Sequence, residues 1–249
     1  MKLSVVIPAR NEEGSIEPTL ASITRALRRE AIEHEIIVAD DASTDATAEA
    51  VRRFRLTGPN VTLVPVTGAH GYGHAVRAGL PQASGDAVAI MMADGSDSAE
   101  DLVRYWRKIE EGFDCVFGSR FISGSRVTDY PAHKMIINRL ANWFIQALFG
   151  LRYNDVTNAF KCYRREAIEG MQPLISSHFN LTVEMPLKAI IRGYSYAVIP
   201  ISWENRRTGI SKLKLQEMGS RYLFIVLYLW LEKLLSRGDY RRGRTTTVL

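Results

Sequence analysis

Leu3-Ser4-Val5-Val6-Ile7 runs into Pro8-Ala9-Arg10-Asn11-Glu12, and Ile36-Ile37-Val38-Ala39 runs into Asp40-Asp41-Ala42-Ser43-Thr44-Asp45. Further on, Val88-Ala89-Ile90-Met91-Met92 runs into Ala93-Asp94-Gly95-Ser96-Asp97. Apolar runs of this length, separated by helical stretches, read as buried parallel strands. Parallel strands end on one edge of their sheet, where open α/β folds bind ligands. Carboxylates gathered there repel one another unless a positive group sits among them. A divalent metal carrying a nucleotide answers that need.

Working outward, the chain reads as a strand at 3–7, a helix at 14–29, a strand at 35–39, a helix at 45–55 and a strand at 61–65. A helix at 72–82, a strand at 87–92, a helix at 99–111 and a strand at 114–118 follow. This βαβαβαβαβ order predicts a mostly parallel sheet with helices on both faces. Ser43-Thr44-Asp45 and Ser98 are expected to cap the helices that follow them. Beyond residue 119 the pattern changes to an apolar helix at 134–149, a short strand at 197–203 and a helix at 212–236. That last helix is apolar on every face between Tyr222 and Leu231. The expected organisation is a catalytic domain over 1–211, an apolar or interfacial helix over 212–236 and a disordered basic tail over 237–249.

At 249 residues and 46% hydrophobic content the chain can bury one sizeable α/β core. The net charge of +5 is mild and compatible with nucleic acid, a membrane surface or phosphorylated ligands. Its two cysteines, Cys115 and Cys162, have neither zinc-ligand nor disulfide-framework spacing. The first residues enter a strand without a basic leader, so a cytoplasmic location is expected.

The carboxylates Asp40, Asp41, Asp94 and Asp97 form the first constellation. Mg²⁺ prefers one or two carboxylates completed by diphosphate oxygens and water. A receiver domain also gathers aspartates, but it lacks the extra strand before the acidic pair and needs about half this length. A dinucleotide fold needs a glycine-rich turn where this chain has Pro8-Ala9-Arg10-Asn11, and Gly71-Tyr72-Gly73 lacks the third glycine. The second constellation is basic: Arg120 directly after a strand, Arg126, Lys134, Arg139, and Arg206-Arg207 with Ser211-Lys212 around Thr208-Gly209-Ile210. Arginine forks and lysine point charges suit phosphate. The apolar helices are the third feature. Ten residues apolar all round are too few to span a bilayer. They fit a buried helix, a dimer interface, or a helix lying in the bilayer interface with Arg221, Lys233 and Arg237 near the headgroups.

With these segments assembled, the chain resembles the family-2 glycosyltransferases, and among them the dolichol- or polyprenyl-phosphate mannosyltransferases. The likeness runs from Val5 to about Leu235. Its segments are Val5 to Glu12, Ile37 to Asp45, Gly118-Ser119-Arg120-Phe121, Asp155 to Lys161, Thr182-Val183-Glu184 and Arg206 to Lys212. The resemblance implies a nucleotide-sugar-binding fold of GT-A type. It implies that Pro8, Arg10, Glu12 and Asp40, with Asp41 beside them, line the base and ribose pocket. It also puts Asp94 in the metal motif, with Arg120, Arg139, Arg207 and Lys212 on donor or acceptor phosphates. Where the family has Asp-x-Asp, this chain has Met92-Ala93-Asp94, and Asp97 or Glu184 is the expected replacement for the lost carboxylate. A second departure is Asn158-Ala159-Phe160 where Ser-Gly-Phe is common.

Sugar transfer requires stabilisation of the departing diphosphate, here by Mg²⁺ or Mn²⁺ at Asp94 and by Arg207 and Lys212. A hydroxyl acceptor needs a general base, and Asp155 is the candidate. A polyprenyl or dolichyl phosphate needs none, being ionised already. It needs cations and a greasy approach, which Arg126, Lys134, Arg139, Arg206, Ser211 and the apolar helices supply. The expected protein is therefore an inverting enzyme at the membrane surface, peripherally associated. It would move a hexose, mannose from GDP-mannose, to a polyprenyl phosphate. The expected partners are the nucleotide sugar, the lipid phosphate and a membrane surface, with a homodimer or membrane subunit open and no nucleic acid. The alternatives are a saccharide acceptor and a non-catalytic nucleotide-sugar-binding module.

Overall fold

The computed structural model describes residues 1–58, 60–204 and 215–242, and for 215–218 only the backbone. The opening strands form as their sequences ask: β1 (Leu3–Ala9), β2 (His34–Asp40), β3 (Val61–Pro65), β4 (Ala87–Ile90) and β5 (Cys115–Ser119). Between them run α1 (Ile16–Arg29), α2 (Thr47–Arg55), α3 (Tyr72–Gly79), prolonged by a 3₁₀ turn at Leu80–Gln82, and α4 (Ala99–Glu110). Ser98 caps α4, its hydroxyl accepting from Glu100 N at 3.2 Å. At α2 the cap comes from Asp45, whose Oδ1 accepts from Thr47 N at 3.0 Å.

The second half holds β6 (Arg126–Thr128), α5 (Ala132–Phe149), β7 (Lys161–Arg164) and α6 (Arg165–Gly170). It ends in α7 (Leu181–Ile191), β8 (Tyr196–Pro200), β9 (Ser202–Glu204) and α8 (Leu215–Leu235). The strand order is β3-β2-β1-β4-β7-β5-β8, with a separate two-stranded sheet of β6 and β9. β4 and β5 are therefore not neighbours as a simple alternation implies. β7 enters between them and pairs antiparallel with both.

Side chains alternate across the sheet, which is why β1 is apolar at consecutive positions. Leu3, Val5 and Ile7 meet α1, α2 and α4 on one face. Val6 meets a layer of α3, α5, α6, α7 and α8 on the other. Ile225, Val226 and Leu229 of α8 belong to this second layer, so α8 packs into the core on that face of the sheet through these residues. Its Lys233, expected near headgroups, instead donates from Nζ to Phe149 O at 2.8 Å and closes the C-terminal end of α5. The tail is ordered at first: Arg242 N donates to Arg192 O at 2.8 Å and its guanidinium pairs with Asp114 at 2.9 Å. Residues 243–249 lie outside the described residues.

α7 is unreadable as an amphipathic helix because every residue from Leu181 to Ala189 is buried. It carries Pro186, which cannot donate to Thr182 O four residues back. Lys161 takes that role, its Nζ donating to Thr182 O at 3.1 Å, to Val156 O at 3.1 Å and to Asn158 O. Three carbonyl acceptors call for three N–H groups, which only the ammonium has. Burial pulls the Lys161 ammonium down to about 7, with the Asp155 charge acting against it.

Glu184, one of the two residues expected to replace the missing metal carboxylate, faces elsewhere. Its oxygens accept from Ile175 N at 2.8 Å, Ser176 N at 2.7 Å and Lys188 Nζ at 2.7 Å. Lys188 also donates to Pro173 O. The pair is fully buried and clamps the 173–176 segment. Breaking a buried pair by removing one partner costs about 3–5 kcal/mol. Lys188→Met should lower stability by about that amount in urea unfolding, with an unchanged denaturant slope. A loss within experimental error would show that the pair does not hold this segment.

Candidate functional site

The C-terminal ends of β2, β1 and β4 are adjacent, so the groups following them line one rim. With strands about 4.8 Å apart, the ends of β2 and β4 lie roughly 10 Å from each other. At one end of this rim, Pro8 is buried within β1, while Arg10 is exposed and Glu12 half-buried just beyond it. Asn11 ties the two loops together, accepting from Thr44 N at 2.8 Å and donating from its own N to Ser43 Oγ at 3.0 Å. Asp40 is half-buried and accepts from Ser43.

Asp41 is a hub behind that rim. It is buried, and its two oxygens meet His70 Nδ1 at 2.8 Å and Gly71 N at 3.0 Å, with Arg10 Nη1 at 3.6 Å. It positions the 70–71 loop rather than presenting a carboxylate to a ligand. The Gly71-Tyr72-Gly73 run serves packing here. Gly71 sits at φ +136°, and a side chain on Gly73 would run into Ser176 O. Gly73 N instead donates to Ser177 O at 3.0 Å.

In the middle of the rim, Asp94 is partly exposed after β4, with Oδ1 accepting from Ser96 N at 3.1 Å. The loop then folds back so that Asp97 Oδ2 accepts from Met92 N at 3.0 Å. A carboxylate three residues later thus returns to the residue where the first aspartate of Asp-x-Asp would stand. Burial pushes Asp97 up to about 7. The nearby Asp94 charge adds to that shift, while the Met92 N–H and the Arg120 charge oppose it. A buried carboxylate held by one backbone donor beside a second carboxylate suits a cation. No group of three His, Cys, Asp or Glu gathers among the described residues. That leaves the two-carboxylate arrangement that Mg²⁺ or Mn²⁺ completes with phosphate oxygens.

At the far end lies the Arg120–Asp155 pair. Arg120 Nε and Nη2 meet the two Asp155 oxygens at 2.8 and 2.7 Å, and Arg120 N donates to Asp155 Oδ2 at 2.9 Å. Phe121, Tyr130 and Trp203 box the guanidinium at 5.4–5.8 Å from their ring centres. Burial would pull Arg120 down, but the Asp155 charge and hydrogen bonds outweigh it and hold its pKa above the ordinary value. Two expectations change as a result. Arg120 offers its fork to Asp155 rather than to a phosphate. Asp155 is fully buried with its oxygens occupied, so it is not presented to an acceptor hydroxyl as a base.

β9 is joined to the 94–97 loop, with Trp203 bridged to Asp97 and Glu204 N donating to Ser96 O at 3.2 Å. Among the cations expected at the acceptor, Arg126 is exposed on β6, Lys134 is half-buried on α5, and Arg139 lies 4.7 Å over the Phe121 ring. Arg206, Arg207, Ser211 and Lys212 lie outside the described residues. Sequence reasoning missed the aromatic box, whose members come from three separate segments. It also missed the role of Lys161, because a buried lysine gives no periodic signal.

A mostly parallel sheet with carboxylates collected at its strand ends is the frame of a GT-A-type glycosyltransferase dependent on a nucleotide sugar. The chain belongs to glycosyl transferase family 2, whose sequence profile matches residues 4–171. It is 29% identical over 215 residues to the polyprenol monophosphomannose synthase of Mycolicibacterium smegmatis, covering 84% of this chain and 80% of that protein. It is 32% identical over 217 residues to the dolichol-phosphate mannosyltransferase of Pyrococcus furiosus, covering 86% of this chain and 60% of that protein. In fold it is similar to the glucosyl-3-phosphoglycerate synthase of Mycobacterium tuberculosis, solved with Mn²⁺, UDP-glucose and phosphoglyceric acid. The TM-score is 0.68 at 20% identity, covering 97% of this chain and 81% of that one.

The raised Asp97 makes a prediction with a definite sign. The folded protein holds this proton more tightly than the unfolded chain, whose carboxyl titrates near pH 4. Its contribution to stability is whole below about pH 4 and is lost as pH rises through about 7. Without divalent ions, the stability of wild type minus that of Asp97→Asn should therefore fall across that window in urea unfolding. A difference that stays flat with pH would make Asp97 an ordinary turn residue.

Proposed function

We propose that this glycosyltransferase moves mannose from GDP-mannose to a polyprenyl phosphate at a membrane surface, with inversion at the anomeric carbon. The observation that carries the reading is α5. Its Arg139 lies over Phe121, which also packs on Arg120, while Ile136, Leu140 and Trp143 of the same helix are exposed. The names of the mannosyltransferase relatives support the same sugar and acceptor class.

In the proposed reaction, an ionised oxygen of the lipid phosphate attacks the anomeric carbon. The bond from that carbon to the nucleoside diphosphate breaks, and the diphosphate departs with both electrons. Such an acceptor brings its own negative charge, so no side chain needs to remove a proton. That agrees with Asp155 being enclosed by Arg120. Pro8, Arg10, Glu12 and Asp40 bind the nucleoside, with Asp41 fixing the loop beside them. Asp94 and Asp97 would hold Mg²⁺ or Mn²⁺, which when bound neutralises the departing diphosphate. Arg207 and Lys212 are proposed to meet the same charge. Lys134 and Arg139 gather the acceptor phosphate, with Arg126, Arg206 and Ser211 proposed around it.

No helix among the described residues is long and apolar enough to cross a membrane. The exposed side chains Ile136, Leu140 and Trp143 of α5 nevertheless join Phe224, Leu231 and Leu235 of α8 as exposed apolar surface. Apolar side chains flanked by Lys134, Arg139 and Arg237 suit peripheral seating on an anionic lipid surface. The protein would then act from the cytoplasmic side.

Lys134→Ala and Arg139→Ala should each weaken use of polyprenyl phosphate by roughly ten- to a hundred-fold, the loss of one charge-assisted hydrogen bond. Nucleotide-sugar affinity in a direct titration should stay within about two-fold, because both cations sit on the acceptor side. Normal transfer by both variants would exclude this acceptor site.

A further inference from the structure

The helix that carries Lys134 and Arg139 is attached by its C-terminal half, through a stripe that mixes amides with apolar side chains. Of the 18 residues of α5 only Asn142, Ile145 and Phe149 are buried, and none of these lies in its first ten positions. Ile136, Leu140 and Trp143, at helical spacing i, i+4 and i+7, form an outward stripe 58%, 62% and 68% exposed. Asn138, Asn142, Ile145 and Phe149 form the opposite, inward stripe. The two asparagines meet Thr157. Asn138 Nδ2 and Asn142 Nδ2 both donate to Thr157 Oγ1, at 2.9 and 3.0 Å. Asn142 Nδ2 also donates to Asn138 Oδ1 at 2.8 Å, and Asn142 Oδ1 accepts from Thr157 N at 3.3 Å.

Asparagine is a poor helix former, and burying an amide costs free energy unless it is fully bonded. Leucine at Asn142 would satisfy packing alone. A buried asparagine on an otherwise apolar helix fixes register, because only one alignment satisfies its amide. Here the partner is informative. Thr157 lies two residues after Asp155, which grips Arg120, and one before Asn158, whose carbonyl accepts from Lys161. On the helix side, Asn138 immediately precedes Arg139, whose guanidinium covers Phe121. The Asn138–Asn142–Thr157 ladder thus joins the acceptor cations directly to the segment that frames the donor rim.

We propose that Asn142 and Thr157 are positioning residues. They hold the lipid-facing helix α5 in one register, so that a lipid phosphate gathered by Lys134 and Arg139 lies in line with the donor sugar. The inference rests on the lipid-phosphate reading of the site. Lipid contact uses the outer stripe and donor binding uses the rim, so the ladder governs only their alignment.

Thr157→Val keeps the side-chain shape but removes the hydroxyl, Thr157→Ser keeps the hydroxyl, and Asn142→Leu removes the amide from the helix side. Each is compared with wild type for co-flotation with phosphatidylcholine–phosphatidylglycerol vesicles, for nucleotide-sugar affinity, and for kcat and KM with polyprenyl phosphate. Thr157→Val and Asn142→Leu should float like wild type and bind donor within about two-fold, yet lose at least about ten-fold in kcat, as misaligned reactants do. Thr157→Ser should retain most of the rate. Normal transfer by Thr157→Val, or equal losses in Thr157→Val and Thr157→Ser, would overturn the proposal, as would loss of flotation in step with transfer. Should Asn142→Leu fail to fold, the valine–serine comparison decides alone. A wild type that transfers nothing to polyprenyl phosphate overturns the acceptor reading and this inference together. Active wild type with an unaffected Thr157→Val overturns this inference only.

Discussion

The buried ion pair between Arg120 and Asp155 is the constraint on which the rest of the site depends. Taking two charges out of water costs several kcal/mol per ion, which only good geometry offsets. The two-pronged contact, the Arg120 backbone donor and the three surrounding rings supply that geometry. The pair fastens the end of β5 to the 155–158 segment, from which Asn158 reaches Gly118 O and Thr157 reaches α5. It is also electrically closed. Arg120 cancels Asp155, so this pair adds no net charge to a rim that carries Asp40, Asp94 and Asp97. A nucleotide diphosphate placed beside these carboxylates would need a cation between them, which is the role proposed for Mg²⁺ or Mn²⁺.

Replacing the first aspartate of the metal motif by Met92 does not remove the carboxylate pair from the rim; it changes how the second carboxylate arrives. Asp97 reaches Met92 N from five residues downstream and is buried in doing so. A carboxylate in that setting holds its proton up to about pH 7, because burial disfavours its charged form. A metal bound there would compete with that proton. The main-chain contacts of β9 with Ser96 and Asp97 hold the loop in this folded-back form.

Much of the architecture was legible in the sequence because it rests on short-range patterns. The strands around Val5, Ile37 and Val88 are buried on both sides and so read as continuous apolar runs, and the carboxylates follow where those runs stop. The pattern failed where neighbours far along the chain decide. β7 inserts between β4 and β5 across about seventy residues of sequence. α7 has no polar face to reveal its period, and its Pro186 looks like a breaker until Lys161 is seen serving the orphaned carbonyl. The basic residues show the same limit. Arg120, Arg139 and Lys233 look alike as charges after or within apolar stretches. Only the fold shows that Arg120 is bound to Asp155 and that Lys233 closes a helix end, while Arg139 remains exposed.

Over its first three turns α5 turns amides inward and large apolar side chains outward, and only near its C-terminal end do Ile145 and Phe149 enter the core. Magnitudes show what each side contributes. A large apolar side chain moved fully out of water gains about 1.5–3 kcal/mol, whereas a neutral hydrogen bond contributes about 1 kcal/mol net. On a lipid surface, Ile136, Leu140 and Trp143 together would therefore outweigh the few bonds of the ladder. Lipid attraction is non-directional and would accept the helix in many rotations and depths. Hydrogen bonds to Thr157 accept one. On the proposed lipid surface the strong interaction would seat the helix, and the weak one would select the arrangement in which acceptor and donor meet.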